Sequence, residues 1–267
     1  MAFINLTDLP PFLIYQNEIF APVRVNQIST LAQLDTGANI VSISPKLAEG
    51  LPRVGKTGVG SAFDQKTFEL VEKVEIEFLG QAHQTTARVF DNPSTYPFDA
   101  GVVLNSSIVY GQPLILDFRL LHFARPHQMP SISWNELEAI YLQKTNLCLI
   151  RLETANKPLF ALFDTGAGLS VVNSIHLPEL QLNLEPAYDL EIGDATGAKA
   201  TQSIVRCCGL SLNGLALPPF DCFPTDLKPI EDAVGHRIDL VLGTNLLLKS
   251  GLRWLFDKPA GKVFVAE

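Results

Sequence analysis

The sequence predicts an all-β protein made of two similar halves, and three observations carry that prediction. The tetrapeptide Asp-Thr-Gly-Ala occurs twice, at Asp35 to Ala38 and Asp164 to Ala167, with the aspartates 164 − 35 = 129 positions apart in a chain of 267. Each copy lies between short apolar strand-like runs, and the run that follows the first copy, Ile40 to Ile43, is rich in β-branched residues. The same order of strand-like runs, glycine-rich hairpin and late apolar run follows each copy, so the chain reads as a repeat of about 130 residues.

Composition sets the frame. With 47% hydrophobic and 18% charged residues the chain is globular in character, and it is long enough to bury a real core. Its apolar runs are too short to span a membrane. Met1 to Phe20 has no basic residue ahead of an apolar stretch, so it does not read as a signal peptide. A net charge of −8 without a basic stripe argues against nucleic acid as the main partner and is compatible with work at mildly acidic pH. Cys148, Cys207, Cys208 and Cys222 show no metal-like spacing. Free thiols are expected, which favours a reducing, cytoplasmic compartment. A Cys222 pairing with Cys207 or Cys208 is the alternative. The histidines show no ligand spacing, and neither a metal nor another cofactor is expected.

In the first half, Ile19 to Val25 and Thr30 to Leu34 read as a strand pair around the polar turn Asn26 to Ser29. After the Asp35 loop, Ile40 to Ile43 is a strand. Ser44-Pro45 then predicts a short helix over Lys46 to Glu49, closed by Gly50. The glycine-rich stretch Gly55 to Gly60 suits the tip of a mobile hairpin. Val71 to Phe78 alternates apolar and charged residues, Thr85 to Phe90 is a further strand, and Pro97 to Leu104 looks buried. Leu114 to Asp117 and Leu120 to Ala124 end a first domain, placed at residues 1–124. Residues 125–146 read as a connection. Within it, Ser133 and Glu136 have capping-box spacing and predict a helix from Trp134 to Leu142.

The second domain, residues 147–267, repeats the order. Leu147 to Leu152 and Pro158 to Phe163 pair ahead of the Asp164 loop, and Leu169 to Val172 follows it. Leu190 to Gly197 alternates and then turns, matching the first glycine-rich hairpin. Ser203 to Leu215 gives further strands, and Ile238 to Leu247 is the counterpart of Phe98 to Ser107. Trp254 to Asp257 and Lys262 to Val265 close the chain around the turn Lys258 to Gly261.

Ala-x-hydrophobic-Asp-Thr-Gly-Ala, present twice, resembles the active-site signature of aspartic peptidases of the retropepsin and pepsin type. The alanine after Asp-Thr-Gly is similar to the retroviral-like branch. The second family signature, two hydrophobic residues and a glycine, is complete at Val241-Leu242-Gly243; in the first half Val103 is read as the match to Gly243. The resemblance covers most of Ile19 to Val265. It implies two acid-protease-like β-barrel lobes related by a pseudo-twofold around a central cleft, with a few short helices. It also implies an aspartic endopeptidase with Asp35 and Asp164 as the catalytic dyad. Gly37 and Gly166 would let the loops approach, and Thr36 and Thr165 would hydrogen-bond across the interface.

The expected partner is a peptide or protein substrate bound by a monomer, with neither nucleic acid nor membrane involved. Two like charges at close range cannot both ionise, so the dyad would share a proton; the aspartic-protease pair is the standard example of this effect. The ionised member would activate a water and the protonated one would donate to the scissile carbonyl. Gly58, Val59, Gly60, Gly193 and Gly197 mark candidate flaps, one or two in number. The flap tyrosine of pepsin-like enzymes has no counterpart between Tyr15 and Tyr96, so that contact is expected to be missing or replaced, with Phe63 the candidate replacement. A non-hydrolytic peptide-binding or assembly module on the same fold, and a pairing of each half with a half from another chain, are the competing expectations.

Overall fold

The computed structural model describes residues 10–60, 65–90, 97–126, 132–193 and 198–267. The protein is mostly β, and its described residues form three sheets and short helices. Residues 13–104 supply β1 (Leu13–Tyr15), β2 (Glu18–Val25), β3 (Ile28–Leu34), β4 (Val41–Ile43), β5 (Arg53–Gly60), β6 (Gln65–Phe78), β7 (Gln81–Val89) and β8 (Val102–Leu104). They form one eight-stranded sheet in the order β1-β2-β3-β8-β4-β7-β6-β5, and a further β2–β6 pairing curls the sheet back on itself. Alternation sets the faces. In β6, Val74, Ile76 and Phe78 are buried while Lys73, Glu75 and Glu77 face water. The β2–β3 turn is a two-residue hairpin with Asn26 and Gln27 both at positive φ, the twist that matches the flanking strands.

After α1 (Ser106–Val109) come β9 (Leu114–Asp117), β10 (His122–Ala124), β11 (Asn135–Leu137) and β12 (Ala139–Tyr141). The rest of the chain adds β13 (Cys148–Glu153), β14 (Pro158–Phe163), β15 (Ser170–Asn173), α2 (Leu177–Leu180), β16 (Asn183–Gly193) and β17 (Lys199–Cys208). It continues with β18 (Ser211–Leu212), β19 (Leu215–Ala216), β20 (Phe220–Thr225), α3 (Lys228–Val234), β21 (Leu240–Leu242), α4 (Thr244–Ser250), β22 (Arg253–Asp257) and β23 (Lys262–Ala266). A ten-stranded sheet runs β16-β17-β20-β15-β21-β14-β13-β18-β19, with β12 also on β13. Its middle repeats the first sheet: β14–β21 and β15–β20 are parallel, as are β3–β8 and β4–β7.

The third sheet draws on distant parts of the chain, in the order β10-β9-β22-β23-β11. Leu116 lies opposite Trp254 and Leu114 opposite Phe256. Phe163 packs on Trp254 and Phe256 at 5.0 and 4.7 Å between ring centroids, and Tyr110 lies 4.8 Å from Phe256. One apolar cluster therefore runs from Ile19 in β2 through to Val265 in β23. No described helix is long and apolar enough to cross a membrane.

Several sequence expectations are corrected. Residues 45–50 form turns, not a helix, although the Ser44 hydroxyl does accept from the Leu47 N–H. The segment expected to be a helix from Trp134 to Leu142 holds β11 and β12 instead. Leu137 is buried, while Glu136 and Glu138 on either side of it pair with Lys262 and Arg151. That alternation has period two, and pairing to β23 and β13 outweighs the local capping signal. The glycine-rich stretch Gly55 to Gly60 is the rising arm of a hairpin, in register with β6, and the tip lies beyond it. Both hairpin tips, with Phe63 and Gly197, and His127 lie outside the described residues.

Candidate active site

The two Asp-Thr-Gly-Ala loops meet. Each follows the last residue of a central strand, Leu34 in β3 and Phe163 in β14, and each is tied to the parallel neighbour in the same way. The Asp35 N–H donates to the Leu104 carbonyl at 2.9 Å and the Asp164 N–H to the Leu242 carbonyl at 3.1 Å. The loops are clasped by their threonines, both fully buried. The Thr36 hydroxyl donates to the Phe163 carbonyl at 2.9 Å and accepts from the Thr165 N–H at 3.0 Å. The Thr165 hydroxyl donates to the Leu34 carbonyl at 2.8 Å and accepts from the Thr36 N–H at 3.2 Å. Four buried backbone groups at the strand ends are thus satisfied by two side chains from the opposite half.

The glycines set the approach. A Cβ on Gly37 would lie 2.3 Å from an Asp164 carboxylate oxygen, and a Cβ on Gly166 would lie 2.3 Å from the Asp35 carboxyl carbon. Each carboxyl group therefore occupies the space that any other residue would fill on the facing loop. The Gly37 N–H donates to its own loop's Asp35 at 3.0 Å, and the Gly166 N–H to Asp164 at 2.8 Å. Burial pushes the Asp35 carboxyl well above the usual carboxylate range, and the neighbouring Asp164 pushes it further. Arg88 and the Ala38 N–H offset part of that rise. Burial also raises Asp164, opposed by the N–H groups of Gly166, Ala167 and Gly37 and by the Asp35 side chain. Two carboxyl groups this close, each only partly exposed, cannot both carry charge cheaply, so a single proton between them is the favoured state.

The loops are backed by helix starts. Ser106 N–H donates to the Ala38 carbonyl and Thr244 N–H to the Ala167 carbonyl. This fixes the correspondence between halves: the residue matching Gly243 is Asn105, not Val103. Gly243 has no room for a side chain, since a Cβ would meet the Leu169–Ser170 backbone at 2.7 Å. Asn105 is accommodated at the same N-cap position. Its amide donates to the Asn39 carbonyl at 3.0 Å, and its side-chain oxygen accepts from Ile108 N–H. Thr244 also donates its hydroxyl to the Thr165 carbonyl at 3.1 Å.

The described flap candidates lie on hairpin arms. Gly58, Val59 and Gly60 lie on β5, paired with Thr67, Lys66 and Gln65, and Gly193 ends β16 opposite Lys199. A described link from the first arm toward the dyad runs through Phe68 on β6. Its ring lies 5.2 Å from the guanidinium of Arg88, the cation whose charge acts on Asp35. Sequence reading did not single out Arg88. An arginine two residues from the end of an alternating strand reads as a solvated charge, yet this one is only 5% exposed and donates to Ser42.

All four cysteines are free thiols. No protein-family model matches the chain, and no curated protein sequence matches it.

Proposed function

We propose that the chain is a single-chain aspartic endopeptidase, with two acid-protease-like lobes and a dyad of Asp35 and Asp164 at the cleft between them. One observation carries this reading: each carboxyl group fits into the space left by the glycine of the opposite Asp-Thr-Gly loop. Turn aspartates with a purely local role have no need of that reciprocal fit. In this reading the pair holds one proton. The ionised oxygen takes a proton from a water between the carboxyls, and that water attacks the scissile carbonyl carbon. The protonated carboxyl donates to the carbonyl oxygen as the tetrahedral centre forms. The Thr36 and Thr165 bonds hold the loops in place, so the geometry exists before substrate arrives. The substrate is an extended peptide that pairs its backbone along the cleft, and one chain supplies both carboxyls.

The test is a peptide-library digestion between about pH 4 and 7, run with wild type, Asp35→Asn and Asp164→Asn in parallel. Cleavage by wild type, lowered at least about a thousandfold in either variant, is expected, in line with the loss of a general acid–base group. Undiminished turnover in either variant would falsify the shared dyad. Binding of a statine-type transition-state mimic without any cleavage would favour the non-hydrolytic peptide-binding module.

A further inference from the structure

Beside the dyad, the two halves differ in one respect that their common register fixes to the residue. With Leu104 and Leu242 as equivalents, Gln33 corresponds to Leu162, and Val103 to Val241. By the same register Ser42 corresponds to Val171, and Arg88 to Phe223. In the second half these four positions are all apolar and belong to one hydrophobic cluster. In the first half three of the four are polar. Gln33, Ser42 and Val103 line a cavity of about 110 Å³ together with Phe90 and Asp99. Behind it, Arg88 Nε donates to the Ser42 hydroxyl oxygen at 2.6 Å, and the guanidinium lies between the rings of Phe68 and Phe90 at 5.2 and 5.3 Å.

A buried guanidinium loses hydration at a cost unless partners replace water, and the two ring faces offset only part of that cost. An apolar residue like Phe223 would fill the same strand position without that cost. The first half thus maintains a cation where its twin has a phenyl ring. Because Ser42 accepts from Arg88, its own O–H is left to donate elsewhere. Cation, hydroxyl donor and Gln33 amide together suit an occupant that accepts hydrogen bonds and carries negative charge. Asp99 at the rim opposes this only weakly, since it is exposed and faces Lys46 at 3.8 Å, where solvent screens both charges.

We propose that this wall, built on Gln33, Ser42 and Arg88, is a specificity pocket. It selects a substrate side chain ending in a carboxylate on the first-half side of the cleft, while the equivalent second-half wall takes an apolar side chain. The proposal rests on the peptidase reading above and deepens it: the substrate class is a peptide with an acidic residue on one side of the cleaved bond and an apolar one on the other.

The experiment uses peptides that differ at a single position near the cleaved bond, carrying Glu, Gln or Leu there. Cleavage by wild type and Arg88→Met is measured alongside direct binding to Asp35→Asn. The Glu peptide is expected to exceed the Leu peptide at least about tenfold in kcat/KM, with Gln between them. The Arg88→Met variant should collapse that ratio, chiefly through KM. Asp35→Asn should show the same order in Kd. A ratio near one in wild type, or a ratio unchanged in Arg88→Met, overturns the pocket, as does a preference for Leu. If Arg88→Met does not fold, Ser42→Ala, which removes the hydroxyl donor and leaves the cation, should lower the Glu-to-Leu ratio without abolishing it, and an unchanged ratio there overturns the pocket. Cleavage without acidic preference removes the pocket alone. Arg88-dependent binding of the Glu peptide by a protein that cleaves nothing removes the peptidase reading alone. Binding of none of the peptides removes both.

Discussion

Thr36 serves the structure through one hydroxyl that gives a hydrogen bond to one residue and receives one from another in the opposite half. Thr36→Val keeps the shape but leaves the Phe163 carbonyl and the Thr165 N–H buried without partners. Each such loss costs about 1–3 kcal/mol, so a drop of about 2–5 kcal/mol in unfolding free energy is expected by denaturant titration. Thr36→Ser, which keeps the hydroxyl, should recover most of it. The dyad makes a second prediction at this scale. Its carboxyls are raised above the ordinary value of 3.8 in the folded chain. Their contribution to stability is therefore full at pH below 3.8 and is lost as pH rises through the raised folded values. Asp35→Asn removes one of the two charges, so its stability should gain on that of wild type as pH increases from 3 toward 7, read from thermal melts at each pH. A variant that lost stability relative to wild type over that range would mean the carboxyls are not held in a charge-averse site. Asp35 and Asp164 were legible in the sequence because two unrelated surface turns would not share a tetrapeptide, flanking strands and half-chain spacing. Arg88 was not, because its burial depends on Phe68 and Phe90, rings that only strand pairing brings alongside.

Among the elements, β9 and β22 show what holds distant segments together. Asp117, 1% exposed, accepts from the N–H groups of Arg119 and Leu120 and from Arg253 Nε at 2.9 Å. Asp117→Ala strands the Arg253 cation and two N–H groups at once, and a loss of about 3–5 kcal/mol is expected. A double variant, Asp117→Ala with Arg253→Met, should lose less than the single one, which a double-mutant cycle measures directly. Strands with strict alternation, such as β6, could be read from sequence because one face meets the core and the other meets water. The failure at Trp134 to Leu142 has the opposite origin. Ser133 and Glu136 carry a genuine local helix-start signal, but Glu136 finds its partner in Lys262, 126 positions away. A window of a dozen residues contains no trace of that partner. The mismatch of Val103 with Gly243 arose similarly. Asn105 is an unexpected residue at a position where its twin tolerates no side chain, and only the loop hydrogen bonds align the two.

For the molecule as a whole, the central fact is that its apolar core is continuous from Ile19 to Val265 and that the third sheet joins mid-chain strands β9, β10 and β11 to the C-terminal β22 and β23. The repeat made the division into halves legible, but not this sheet, whose strands carry no motif and pair across more than a hundred positions. It follows that neither half is self-sufficient. Expressed alone, residues 10–126 should lack dispersed amide signals and bind hydrophobic dyes, because Leu114 and Leu116 lose Phe256 and Trp254 as their cover. Mixing that fragment with residues 132–267 should restore a native spectrum. A stable, dispersed spectrum from the first fragment by itself would show the halves to be independent.

The pairing of β9 with β22 has a further consequence for how this protein is born. The ribosome releases Asp117 about 136 residues before its partner Arg253. At typical elongation rates the nascent first half waits roughly ten seconds with one strand edge bare. During that interval its best available mate is the same strand on a neighbouring nascent chain, so crowding on one messenger, rather than weak final stability, is where yield would be lost.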